Sequence, residues 1–256
     1  MHIGIFARTF QRPSVEEVLD AVVEQGISDI QFNMISAGLP SMPDAVDDGT
    51  VARVREAIID RKLNMASLSG TFNMIHPDPA VREAGLRSLC VLAGVAKPLG
   101  THVVTLCTGT RDATNMWRNH PDNATPEAWA YLLATVERAV VIATDHDIVL
   151  GVEPEVSNVV SSPQKARRLL DAIASPHLKI VMDGANVFPS GTLDRQHGIL
   201  DDAFDLLGDD IVLAHAKDIS RDGEAGHEAA GTGLLDYSYY IKLLEQSSYD
   251  GPLVLH

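Results

Sequence analysis

An α/β barrel of the (β/α)8, or TIM, type is the fold class this sequence predicts, and three observations predict it. Short strand-like runs alternate with amphipathic helical runs along the whole chain, the pattern that builds parallel strands joined by helical crossovers. Eight such runs within 256 residues match the arithmetic of that barrel. The turn after the first run reads ARTFQRPS, without the glycine fingerprint that opens a doubly wound dinucleotide-binding sheet. No linker-like or low-complexity stretch interrupts the alternation, so residues 1–256 read as one domain.

The first strand is His2–Phe6, and its helix runs from Ser14 to Gln25. Ser14 and Glu17 form a capping box, and Gly26 is the natural stop. The second strand, Asp29–Asn33, leads through a loop rich in Pro, Gly and Asp to a helix carrying Val51, Val54 and Ile58 on one face. Leu63–Ser69 precedes a helix over Pro79–Pro98. His102–Thr108 precedes a long polar loop and a helix opening at Thr125-Pro126, a cap residue followed by a first-turn proline. Ile148–Glu153 is followed by a helix from Ser162-Pro163 to Ile173, and Lys179–Asp183 by one over Leu193–Leu207. Ile211–His215, a glycine-rich loop and a helix over Tyr237–Gln246 form the seventh unit. Pro252–His256 is the eighth strand, and no eighth helix follows it.

Bulk properties narrow the function. The net charge is −15, from 35 acidic and 20 basic residues, with no Lys/Arg cluster. A polyanion is repelled by such a chain, which argues against nucleic acid as a partner. No apolar run reaches the ~18 residues of a membrane span, and MHIGIFARTF lacks signal-peptide anatomy. A cytoplasmic protein is expected. Cys90 and Cys107, both in apolar segments, read as two buried free thiols in a reducing compartment. Their spacing excludes a CxxC site.

Active sites of (β/α)8 barrels lie at the C-terminal ends of the strands. Alternate residues of a strand share a face. Val149, Gly151 and Glu153 therefore point together, as do Val181 with Asp183, Leu213 with His215 and Lys217, and Val254 with His256. Each is an apolar strand ending in a polar side chain on its inward face. Two carboxylates and an imidazole aimed at one point make a site for Mn²⁺, Mg²⁺, Co²⁺ or Zn²⁺, with the carboxylates favouring the harder ions and the histidine keeping zinc open.

At these strand ends the segments GVEPE, IVMDGAN and AHAKDIS resemble the xylose-isomerase-like TIM barrels of the sugar phosphate isomerase/epimerase superfamily, as do the opening GIFARTF and the stretch SGTFNMIHPD. The run LCTGTRDATNMWRNHPDN is similar to one branch of that superfamily. The resemblance spans essentially the whole chain. It implies a metal held by a Glu, an Asp, a His and a second Glu on strands five to eight. Glu153, Asp183 and His215 match the first three, and the fourth position falls on His256. In the ketose 3-epimerases of the superfamily the two glutamates work as an acid/base pair on opposite faces of the sugar. A histidine in the second place ligates metal or shuttles a proton instead. The resemblance also places a substrate-contacting histidine where His76 stands.

Further candidates line the strand ends. Glu155 is the alternative carboxylate to Glu153, with Pro154 disturbing its direction. Lys217 either binds an anionic group of the substrate or pairs with an acid. The turn Thr108-Gly109-Thr110-Arg111 offers amides and a guanidinium to an anion. Trp117 and His120 lie on a loop longer than a plain connector requires; Trp117 reads as a lid or as a loop anchor. Phe6 and Arg8 end the first strand and read as pocket floor or wall.

The function this implies is a metal-dependent isomerase or epimerase of a sugar, a sugar phosphate or a related polyol ketone. Metal coordination acidifies the C–H beside the carbonyl, and Glu153 is positioned as the base. A dehydratase of a keto-inositol-like substrate shares the first half-reaction, and a non-catalytic sugar-binding barrel is the alternative of another class. The abasic-site endonucleases of the same superfamily carry a histidine where this chain has Asn186, and the acidic charge opposes DNA. A small-molecule carbohydrate is thus the expected partner, with a homo-oligomer in keeping with the superfamily.

Overall fold

The computed structural model describes the backbone of all 256 residues and the side chains of all but 224–227. Eight parallel strands close into a barrel: β1 (Ile3–Phe6), β2 (Asp29–Phe32), β3 (Asn64–Ser69), β4 (Val103–Cys107), β5 (Val149–Glu153), β6 (Leu178–Asp183), β7 (Ile211–Ala216) and, after an inserted hairpin, β10 (Leu253–Leu255). The barrel shuts where β1 pairs in parallel with β10 at Ile3↔Leu253. Seven helices wrap it: α1 (Val15–Glu24), α2 (Asp48–Asp60), α3 (Pro79–Leu99), α4 (Pro126–His146), α5 (Pro163–Ile173), α6 (Gln196–Leu207) and α7 (Tyr237–Gln246). No eighth helix follows β10, as the sequence predicts.

The caps form as their chemistry dictates. Ser14 Oγ accepts from the Glu17 amide at 3.3 Å and its hydroxyl donates to the Glu17 carboxylate at 2.9 Å. Thr125 and Ser162 cap α4 and α5, each followed by proline. The helix expected from Leu193 starts instead as a 3-10 turn, Leu193–Arg195, and becomes α-helical at Gln196.

Inside the barrel, Phe6, Val181, Leu213 and Val254 form a small apolar layer separate from the main core between sheet and helices. The polar ends of the same strands stand on this layer. Gly151 belongs to it by default, because a Cβ there would lie 2.8 Å from Val181 Cγ2. Tyr240 of α7, fully buried, clamps the wall from outside: its hydroxyl donates to the carbonyls of Met182 (2.9 Å) and His215 (3.1 Å).

Two features depart from the sequence reading. Cys107 is buried but Cys90 is exposed, on the outer face of α3, with His146 Nε2 3.8 Å from its sulfur; the apolar neighbours that suggested burial lie on the other face of that helix. The glycine-rich loop after β7 contains an antiparallel hairpin, β8 (Asp218–Arg221) with β9 (Glu224–Glu228), whose short polar strands lack any period-two apolar signal. Asp218 holds this loop shut. Its fully buried carboxylate accepts the amides of Ile219 (2.8 Å), Gly231 (2.8 Å), Gly233 (2.9 Å) and Leu235 (3.0 Å). Only glycine fits at 233, where a Cβ would meet that carboxylate at 2.5 Å.

Burial alone would raise the Asp218 pKa, but these four amides outweigh it and hold it below the ordinary carboxylate range. Asp218→Ala is expected to lower the unfolding free energy by about 3 kcal/mol, since several buried amides lose their partner; urea denaturation at neutral pH measures it. The folded pKa lies below the unfolded one. The contribution is therefore complete above about pH 4 and is lost as pH falls through the folded value. The gap between wild type and variant should narrow in acid.

Candidate metal centre

Register brings the strand ends together. Asp183 is paired with His215 across β6 and β7, and Glu153 ends β5 beside Cys107 of β4. One ligand atom from each of Glu153, Asp183 and His215 lies within 4.8 Å of the others. Asp183 and His215 are each only 1% exposed, while Glu153 reaches the cavity above.

Two buried carboxylates this close require a cation. The Lys217 ammonium stands 2.9 Å from Glu153 Oε1 and 3.0 Å from Asp183 Oδ2. Burial would raise the Glu153 pKa, but Lys217 and then His215 outweigh it and hold the carboxyl well below its usual range. For Asp183 burial wins, helped by the charge of Glu153, and its pKa is raised. Burial would lower the Lys217 pKa, yet Asp183 and Glu153 together raise it.

The donor set fits a divalent ion. His215 Nε2 lies 2.7 Å from Gln31 Oε1, an oxygen that also accepts from Ser67 at 3.4 Å. In the tautomer with Nε2 donating to Gln31, Nδ1, 3.3 Å from Glu153 Oε2, would be free to ligate an ion lying between the two. This is how an outer partner fixes the tautomer of a metal-binding histidine. Asp183 Oδ2 and His215 Nδ1 are buried without a hydrogen bond; the Lys217 contact supplies Asp183 with charge rather than an aligned donor. Two carboxylates and an imidazole lone pair are donors that Mg²⁺, Mn²⁺ and Zn²⁺ accept. Asn186 donates to Glu153 Oε1 at 2.6 Å and fixes its other face.

A cavity of about 650 Å³ opens over this cluster. Phe6, Arg8, Trp117, Glu153, Glu155, Lys217 and His256 all line it. Trp117, 55% exposed, stands at its rim. Glu155 accepts from the Ser157 amide (3.1 Å) and Asn158 Nδ2 (2.8 Å), and burial raises its pKa. His256 occupies the eighth-strand corner. Although the residue as a whole is exposed, its ring stacks on Phe6 at 4.8 Å and lies 5.0 Å from His215. Burial of the ring, then the charges of His215 and Lys217, lower its pKa, so the imidazole is neutral at neutral pH.

Three candidates lie away from the cavity lining. The ring nitrogens of His76 contact the Ala113 carbonyl (3.1 Å) and accept the Asp78 amide (3.1 Å). Arg111 donates to the Ile75 carbonyl (3.0 Å) and stacks over Tyr131. His120 caps the turn Pro121–Ala124, accepting from Asp122 at 3.2 Å. Gln31 is a site residue that sequence reasoning missed. Its signal was a polar residue between apolar neighbours on a strand, but the partner 184 positions away was not readable.

The closed barrel and the carboxylate–histidine cluster agree with a family model described as a xylose isomerase-like TIM barrel, which matches residues 19–256. This chain belongs to that family. Among solved structures it is similar to 3-keto-D-glucoside 4-epimerase YcjR from E. coli, with 17% identity, 99% of this chain and 90% of that one covered, and a TM-score of 0.72. It is similar to the probable 3-DHS dehydratase AsbF from Bacillus anthracis, with 16% identity, 100% and 92% covered, and a TM-score of 0.76. A xylose isomerase-like barrel protein from Mycobacterium smegmatis, in complex with magnesium, has 16% identity, 99% and 88% covered, and a TM-score of 0.70. At such identities these likenesses show the fold. No curated protein matches by sequence. No helix among the described residues is long and apolar enough to cross a membrane.

Titration calorimetry with Mg²⁺, Mn²⁺ and Zn²⁺ tests the centre. Glu153→Gln and Asp183→Asn should abolish stoichiometric binding. Gln31→Leu, which keeps every ligand but frees His215 Nε2, should weaken binding by about 10- to 100-fold. Unchanged affinity in all three variants would remove the site.

Proposed function

We propose that the chain is a metal-dependent isomerase or epimerase of a sugar, sugar phosphate or related polyol ketone. The observation that carries this reading is the convergence of Glu153, Asp183 and His215 beneath a cavity walled by hydroxyl and amide side chains. A divalent ion held by these three residues supplies Lewis acidity toward the substrate carbonyl.

The remaining work falls to the chain's own groups. Glu153, kept ionised by Lys217, is the base that removes the proton beside the carbonyl, leaving an enediolate. Asn186 and Lys217 both grip Oε1 and so leave Oε2 as the mobile corner of that carboxylate. His256, stacked on Phe6 and neutral, offers a ring nitrogen to a substrate hydroxyl on another side and does not act as an acid. Trp117 shields the mouth from water.

The dehydratase reading has its own support. The second carboxylate of a two-glutamate epimerase is replaced by a neutral imidazole at His256, and a lyase can work with one carboxylate, Glu153 taking the proton beside the carbonyl and returning it to the departing β-hydroxyl. Similarity to AsbF accords with it.

Metal-loaded protein incubated in D₂O with ketoses, their phosphate esters and inososes distinguishes these outcomes by NMR. Exchange at the carbon beside the carbonyl is expected with at least one substrate, slowed about 100-fold or more in Glu153→Gln. An epimer as product assigns the epimerase, and loss of water assigns the dehydratase. No exchange in metal-loaded wild type would sink both.

A further inference from the structure

We infer that the cavity takes an unphosphorylated, uncharged carbohydrate and discriminates against phosphate esters; this rests on the proposed function and narrows it. The positive groups at the barrel mouth carry this inference. A phosphate subsite needs clustered amides or uncommitted cations, and in barrels of this kind it is often built from loops after the last strands.

Five amides of the two candidate loops are already engaged. In the turn after β4, Gly109 donates to Asn158 Oδ1 (2.7 Å), Thr110 to Asn73 Oδ1 (3.1 Å) and Arg111 to Asn123 Oδ1 (2.7 Å). The Arg111 guanidinium is tied to the Ile75 carbonyl and the Tyr131 ring, outside the cavity lining. In the glycine-rich loop after β7, the amides of Gly231 and Gly233 close on Asp218. That carboxylate is an internal anion where a ligand's phosphate would otherwise satisfy them.

Of the lining cations, one is engaged and the other is exposed at the rim. Among the described residues lining the cavity, Arg8 and Lys217 are the basic ones besides His256. Lys217 is held by Glu153 and Asp183. A divalent ion on those two carboxylates would take up both of their charges, which leaves the Lys217 ammonium to be met by Glu155 on the same lining. Arg8 is solvent-exposed over Phe6, where a single ion pair contributes little. No cation among the described lining residues is set in a built anion cradle, and Glu155 adds a carboxylate that a phosphate dianion would have to approach. What the wall offers instead is neutral: the hydroxyls of Ser69, Thr71 and Thr105, and the Trp117 ring for the C–H side of a sugar.

The test pairs D-fructose, D-xylulose and myo-inosose each with its phosphate ester, on the Mg²⁺-loaded protein in D₂O. The unphosphorylated member should exchange with a kcat/KM about 100-fold or more above its ester, the scale of an uncompensated like-charge contact. An ester that exchanges as fast or faster overturns the inference while leaving the proposed function standing. If nothing exchanges, the proposed function fails, and a second measurement still decides the anion question. Inorganic phosphate is titrated at constant ionic strength while the melting temperature is followed in wild type and Arg8→Met. No rise, or a rise that Arg8→Met leaves untouched, supports the inference. A saturable rise that Arg8→Met removes overturns it.

Discussion

Two carboxylates buried side by side cannot both stay ionised without positive charge between them, and the top of this barrel is organised around that requirement. Glu153 and Asp183 face one another across neighbouring strands, and Lys217 reaches both from the end of β7. The split in behaviour follows from position. Glu153, closest to the ammonium and to His215, stays ionised, whereas Asp183, sealed in the wall, is dominated by its burial. A pair biased in opposite directions is the arrangement from which acid, base and ligand roles are drawn.

Everything beneath serves to hold that cluster still. The inward layer of Phe6, Val181, Leu213 and Val254 fills the barrel and supports the polar ends above it. Tyr240 ties the backbone of β6 and β7 together from outside at the height of Asp183 and His215. Gln31 reaches His215 from across the interior and sets which nitrogen faces the carboxylates. A metal or substrate site built on such rigid strands is positioned by packing rather than by loop conformation.

The loops have a different task. Asn73, Asn123 and Asn158 hold the turn after β4, and Asp218 holds the loop after β7, each by filling backbone amides with a side chain of the chain's own. These side chains stand behind a cavity whose own lining carries Glu153, Glu155 and the hydroxyls of Ser69, Thr71 and Thr105.

The barrel was legible in the sequence because strand and helix periodicities are local. Ser14, Thr125 and Ser162 mark helix starts whatever lies around them, and counting in twos from Val181 or Leu213 finds Asp183 and His215. The hairpin after β7 was not legible, since its polar strands carry no period-two signal. Cys90 was misread because apolar neighbours in sequence are not neighbours on a helix face. The resemblance offered His76 and the loop after β4 offered Arg111 and His120 as ligand contacts; the fold gives each a backbone or ring partner away from the cavity lining. What the sequence by itself determined is which side chains point inward at the strand ends. Closure of the barrel alone decided that Gln31 meets His215, that Lys217 lies between Glu153 and Asp183, and that the mouth's amides are filled by asparagines and Asp218. Those contacts join residues far apart along the chain, and their energies depend on distance and burial, which no linear pattern encodes.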